Sequence, residues 1–251
     1  MSFKQRMAEL AEKKDSNIVL ALDQLPEDAR SLVEIGIKIL EKTHPYICAV
    51  KLNHHLVLPL GLFDGTKKIV DKAHNLNLPV IMDCKINDIG YTNRVISENY
   101  FNAGFDAVIA NPFVGWDDGL QPVFEVAEKM SRGVILLVYM SHKAAWEGYG
   151  QIVHDPNADE LKAQYLVFAQ KALAWNADGA IVGATYPEKI REIRTILKEK
   201  VPIYSPGVGV QGGEVKAAVE AGSKYLIIGR SITLADNPRQ AAKSFRDAAK
   251  D

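Results

Sequence analysis

Eight short, almost continuously apolar stretches punctuate this chain, and each is followed by a longer segment with helical periodicity. The apolar stretches cover residues 18–23, 46–51, 79–85, 107–111, 133–140, 179–182, 202–206 and 225–228. Runs of this length, rich in β-branched residues and lacking polar alternation, suit strands buried on both faces, as in parallel sheets. Helices are predicted over 26–42, 63–75, 88–103, 117–129, 158–175, 187–198, 212–221 and 238–249. Several of these open on Pro or an acidic residue, which fits a helix N-terminus. Eight such units predict an α/β fold closed into a (β/α)8 TIM barrel. An open doubly wound sheet shares the alternation, and periodicity does not separate the two. The 251 residues, 47% of them hydrophobic, fit one barrel domain spanning 1–251 with a short N-terminal helix. Residues 141–157 are predicted to form an irregular loop between a strand and its helix.

Charge narrows the partners. Thirty basic residues balance 31 acidic ones, for a net charge of −1, so the chain lacks the electrostatic footprint of a nucleic-acid binder. No apolar run reaches the length of a membrane span, and the charged N-terminus has no signal-peptide core, which predicts a cytoplasmic protein. Cys48 and Cys84 both fall in apolar stretches, as expected of buried thiols in a reducing compartment. Zinc-type His/Cys spacing is missing. His54 and His55 are adjacent, so on an extended segment they point apart and fit a surface loop. Trp116, Trp146 and Trp175 fit packing roles.

In a barrel, chemistry gathers at the carboxyl ends of the strands. Here those ends carry Asp23, Lys51, Asp83 with Lys85, Met140-Ser141, the segment from Pro206 to Gly213, and Gly229-Arg230. Asp83 and Lys85 are two apart on a strand and should share a side. Asp88 and Thr92 are four apart at the start of the next helix and should share its face. Gly207, Gly209 and Gly212 match a dinucleotide-binding spacing, but they follow the seventh apolar stretch, and the next one ends in Gly229-Arg230, not in an acid. Glycines there suit a phosphate held by backbone N–H groups and a helix N-terminus. Asp23, Asp83 and Asp88 could frame a magnesium site, but the interleaved ammonium groups of Lys51 and Lys85 oppose a divalent cation.

The string Asp83-Cys84-Lys85-Ile86-Asn87-Asp88-Ile89-Gly90-Tyr91-Thr92 resembles the signature of orotidine 5′-phosphate decarboxylases. The resemblance extends to Asp23, Lys51, Met140-Ser141-His142, the loop from Ser205 to Gly213, and Gly229-Arg230, in chain order. It implies a metal-free, cofactor-free lyase that converts orotidine 5′-phosphate to uridine 5′-phosphate (UMP). Lys85 would protonate C6 after CO2 leaves, Asp83 would flank the departing carboxylate, and Lys51 with Asp23 would hold the ribose. Asp88, Ile89 and Thr92 would enter the site of a second subunit, making a homodimer. Ser141 would touch the base. Gln211 would bridge base and phosphate, and Pro206, Gly207, Val208, Gly209, Gly229 and Arg230 would grip the phosphate end. Magnesium-dependent sugar-phosphate decarboxylases and aldolases share the Asp-x-Lys-x-x-Asp string, but an acid is expected where Lys51 stands. A non-catalytic phosphate sensor on the same barrel would need only the loop and Arg230.

Overall fold

The computed structural model describes residues 1–23, 28–155, 159–209 and 212–250. Eight parallel strands close into a barrel: Ile18–Ala21, Ala49–Asn53, Val80–Ile86, Ala107–Ala110, Gly133–Tyr139, Gly179–Val182, Ile203–Pro206 and Tyr225–Ile228, here the first to eighth strands. Val19 of the first strand pairs with Ala49 on one side and Ile227 on the other, so the sheet has no free edge. That closure settles the choice between barrel and open sheet.

Alternation along each strand divides the core in two. Val19, Ala49, Ile81, Ala107, Ile135, Ile181, Tyr204 and Ile227 fill the barrel interior. Their neighbours Ile18, Leu20, Val50, Val80, Val108, Leu136 and Leu226 pack outward beneath the helices. Both faces are apolar because both are covered, which is why the strands read as unbroken hydrophobic runs. Inside, the rings of Tyr204 and Tyr225 stack with centroids 4.5 Å apart.

Helix Phe3–Lys14 closes the amino-terminal mouth. A capping box between Ser2 and Gln5 starts it. Phe3, Met7 and Ala11 recur every four residues on one face and join the interior cluster. Gly133 makes room for this plug, since a Cβ there would lie 2.5 Å from the Phe3 ring. Arg6 on the same helix reaches Asp106, which is 3% exposed. One Asp106 oxygen accepts from Arg6 Nη1 at 3.1 Å and Arg132 Nη1 at 2.6 Å. The other accepts from the Val80 N–H at 2.9 Å and lies 2.8 Å from His74 Nε2. Burial pushes the Asp106 carboxyl up, but His74, the Val80 N–H and Arg132 together hold it below the usual carboxylate range.

Three local expectations fail for identifiable reasons. The histidine pair opens helix His54–Leu60, which runs through a π turn, Gly61–Gly65, into helix Thr66–Asn75. Pro59 inside that first helix and Gly61 at its end disguise it. Residues 141–157 are not simply irregular: they hold helix Ala145–Tyr149 and strand Ile152–Asp155. That strand pairs antiparallel with Glu160–Ala163, where a helix was expected, and the helix proper is Gln164–Ala174. Four-residue strands with polar faces carry too little pattern to stand out, although Asp155-Pro156-Asn157 is a turn signal in the sequence. Trp116 and Trp175 cluster with Phe124, as packing requires, whereas Trp146 is 65% exposed. Among the described residues no helix is long and apolar enough to cross a membrane.

Candidate active site

The carboxyl ends of the strands surround a cavity of about 390 Å³. Asp23, Lys51, Asp83, Lys85, Ser141, Pro206, Gly207, Val208, Gly209, Gly229 and Arg230 line it. Eleven of the fifteen expected site residues therefore converge on one space, drawn from the ends of six strands.

Its centre is a carboxylate between two ammonium groups. Asp83 Oδ2 accepts from Lys51 Nζ and Oδ1 from Lys85 Nζ, each at 2.7 Å. The Lys51 and Asp83 side chains are 7% and 11% exposed, and Lys85 is 34% exposed. Burial alone would raise the Asp83 carboxyl; the two lysines more than offset it and hold the group below its ordinary range, as an anion. Water is largely excluded, so these charges act through a lower dielectric than at a surface.

Alternation carries Asp83 and Lys85 to the same side: Ile81 faces the barrel interior, Met82, Cys84 and Ile86 pack outward, and both charged residues line the cavity. Met82 pairs with Val108 and Ile86 with Ala110, so four steps on the third strand span two on the fourth. Lys85 sits in the resulting bulge at φ 49°, the left-handed region that a lysine rarely adopts. Because the bulge adds two residues, it leaves the alternation of faces intact, and Lys85 stays on the cavity side. Cys84 between them turns to the Ile109 carbonyl, and burial with Asp83 nearby pushes its thiol up to about 12.

Asp88 differs from its expected setting. The helix starts at Gly90 and ends at Asn102, so Asp88 precedes it and shares no helical face with Thr92. A residue that spacing did not single out holds the turn. Asn93, fully buried, accepts from the Asp88 N–H at 3.0 Å and donates to the carbonyls of Asp88 and Gly119. Asp88 Oδ1 accepts from the Ile89 N–H at 2.7 Å. Asp88 and Ile89 are exposed, and with Thr92 they lie outside the cavity of their own chain.

The opposite wall comes from the first, seventh and eighth strands. Thr233 Oγ1 donates to the Asp23 carbonyl. Asp23 leans over Gly229, where a Cβ would lie 2.1 Å from Asp23 Oδ2 and displace the carboxylate. His55 Nε2 lies 4.0 Å from Asp23 Oδ1. After the seventh strand Gly207 turns at φ 89° against Ser141. Gln211, expected between base and phosphate, lies outside the described residues. Gly212 begins helix Gly212–Ala221, and Arg230 begins the short helix Arg230–Thr233 with its side chain exposed at the cavity rim. His54 is half-buried rather than on a loop surface, with Nε2 2.9 Å from Tyr100 Oη. Burial, and then the Lys85 charge, hold its imidazole below the usual range. Among the described residues, no group of three or more His, Cys, Asp or Glu side chains gathers as a metal cage.

The arrangement has known counterparts. The sequence profile of the Orotidine 5'-phosphate decarboxylase / HUMPS family matches residues 16–245. An orotidine 5'-phosphate decarboxylase of Pyrococcus abyssi is 39% identical over 230 residues, covering 92% of this chain and 97% of the relative. The crystal structure of orotidine 5'-phosphate decarboxylase from Pyrococcus horikoshii superposes with a TM-score of 0.75 at 35% identity, over 93% of this chain and 99% of the other. That of the Methanocaldococcus jannaschii enzyme complexed with inhibitor BMP gives 0.77 at 28% identity, over 94% and 99%. Barrel, cavity and sequence agree: the chain belongs to the orotidine 5′-phosphate decarboxylase / HUMPS family.

Proposed function

We propose that the Lys51–Asp83–Lys85 row neutralises the charge that develops on the pyrimidine when its carboxylate leaves. The chain decarboxylates orotidine 5′-phosphate to UMP, a carbon–carbon lyase step of pyrimidine biosynthesis. The observation that carries the reading is a single carboxylate gripped at 2.7 Å by two lysines, in the same cavity as the glycine loop and Arg230.

Breaking the C6–carboxylate bond leaves an electron pair in the plane of the ring, where the π system does not accept it. CO2 departs with that bond, and Lys85 then gives its proton to C6, so the pair becomes a C–H bond and the lysine is left neutral. An ammonium about 4 Å from the carbanion contributes about 4 kcal/mol at an effective dielectric near 20. Enzymes commonly lower barriers by ~8–23 kcal/mol, so one lysine does not suffice. Interactions with ribose and phosphate supply the rest by closing the loops and ordering the row. Asp23 and Lys51 hold the ribose hydroxyls, Ser141 the base, and Arg230, Gly229 and residues 206–209 the phosphate, with Gln211 bridging base and phosphate.

Asp88 and Ile89, both exposed, and the half-buried Thr92 lie outside their own cavity, which supports a homodimer in which they complete the partner's site. Ile89 and Tyr91 are 65% and 77% exposed, and Val95 follows four residues after Tyr91, an apolar face suited to that contact. We place the whole chain, 1–251, in one cytoplasmic domain that works without metal or cofactor. Loss of orotidylate absorbance in excess EDTA tests this directly. Undiminished turnover is expected, and turnover that needs added magnesium would return the chain to the sugar-phosphate branch.

A further inference from the structure

Glu214 stands in the first turn of helix Gly212–Ala221, just after the glycine loop. Its Oε2 accepts from the Gly209 N–H at 2.6 Å. This is the geometry of a charge-assisted bond, shorter than a neutral amide contact. Gly209 lines the cavity, as do Gly207 and Arg230. The carboxylate packs directly on the glycine: a Cβ at 209 would lie 2.6 Å from Glu214 Oε2 and push that side chain aside. An anion gripped by this loop therefore meets a donor already given to an anion within the chain.

We propose that Glu214 is a built-in stand-in for the substrate phosphate, which must surrender the Gly209 N–H before the loop can grip its ligand. The inference rests on the proposed phosphate role of this loop. One N–H cannot serve two anions at full strength, and a carboxylate beside a phosphate dianion adds repulsion. Phosphate binding is thereby coupled to a side-chain exchange at the start of the helix. The exchange selects for phosphorylated ligands, because an uncharged nucleoside has nothing with which to displace the carboxylate. Glu214 is a positioning residue: it acts on substrate only through the loop.

Calorimetric titration of UMP and of uridine into wild type, Glu214→Ala and Glu214→Gln separates the possibilities. Glu214 is exposed, so neither change disturbs the core. Both variants are expected to bind UMP about tenfold more tightly than wild type, a change of about 1.4 kcal/mol, with uridine affinity unchanged. Unchanged or weakened UMP binding in both variants would overturn the stand-in role and make Glu214 a brace of the loop. Equal tightening for UMP and uridine would also overturn it, since the effect would not depend on the phosphate. If wild type binds UMP no better than uridine and Arg230→Ala changes neither, the phosphate reading of the loop itself falls, a result distinct from failure of the Glu214 step.

Discussion

Replacing Asp106 by Asn should cost the fold heavily while leaving the chemistry untouched. Asp106 lies at the amino end of the fourth strand, at the mouth opposite Lys85, and its side chain is 4% exposed. Four donor groups from four parts of the chain meet its two oxygens. An asparagine keeps the shape, but one oxygen becomes an NH2 facing two of those groups, and the guanidinium groups of Arg6 and Arg132 lose their counter-charge. Breaking a buried ion pair by removing one partner costs about 3–5 kcal/mol. At roughly 2–4 °C per kcal/mol for a domain of about this size, the melting temperature should fall by about 6–20 °C. Urea unfolding at pH 7 measures the loss, and kcat at 25 °C should match wild type. The pH dependence supplies a second check. A carboxyl held below its unfolded value contributes stability above roughly pH 4 and loses it as pH falls through the folded value. The gap between wild type and Asp106→Asn should therefore narrow on acidification. A loss under about 1 kcal/mol at neutral pH, or a gap that widens toward acid, would refute the idea that this carboxylate ties the plug helix to the barrel.

Three site variants test the proposed roles. Lys85→Ala should abolish decarboxylation yet retain UMP binding; near-normal turnover would remove the lysine from its role as acid. Arg230→Ala should raise KM by about tenfold or more with a smaller effect on kcat, and an unchanged KM would move the phosphate elsewhere. Asn93→Ala leaves the Asp88 and Gly119 carbonyls short of a donor, so about 1–3 kcal/mol of stability should go, together with activity, because the turn that presents Asp88 loosens. Stability loss without any change in kcat or KM would separate that turn from catalysis.

What the sequence made legible was governed by the strands. Residues such as Val19 and Ile81 must be apolar because the barrel interior is packed, and their outward neighbours because helices cover them, so the eight strands stood out. Polar residues at the ends of such strands stood out equally, which is why Asp23, Lys51, Asp83, Lys85 and Arg230 could be named together. Period-two spacing puts Asp83 and Lys85 on one side, and the structure does the same; what spacing does not reveal is the bulge and the left-handed lysine within that strand. Spacing also extends the next helix back to Asp88, whereas it begins two residues later. Asn93 escaped notice because one buried amide leaves no periodic trace; its signal was only a polar residue at a helix position due to be covered. The paired strands Ile152–Asp155 and Glu160–Ala163 and the helix His54–Leu60 are short and irregular in pattern, so local propensity has little to work on.

The backbone at Lys85 has a bearing on how such a chain evolves. A side chain held in the left-handed region costs roughly 1–2 kcal/mol, and glycine or asparagine relieves much of it. A lineage released from making UMP would gain stability simply by drifting to one of them at position 85. On the proposed role of Lys85 as the acid, retaining a lysine in that conformation is a standing expense that only turnover recovers.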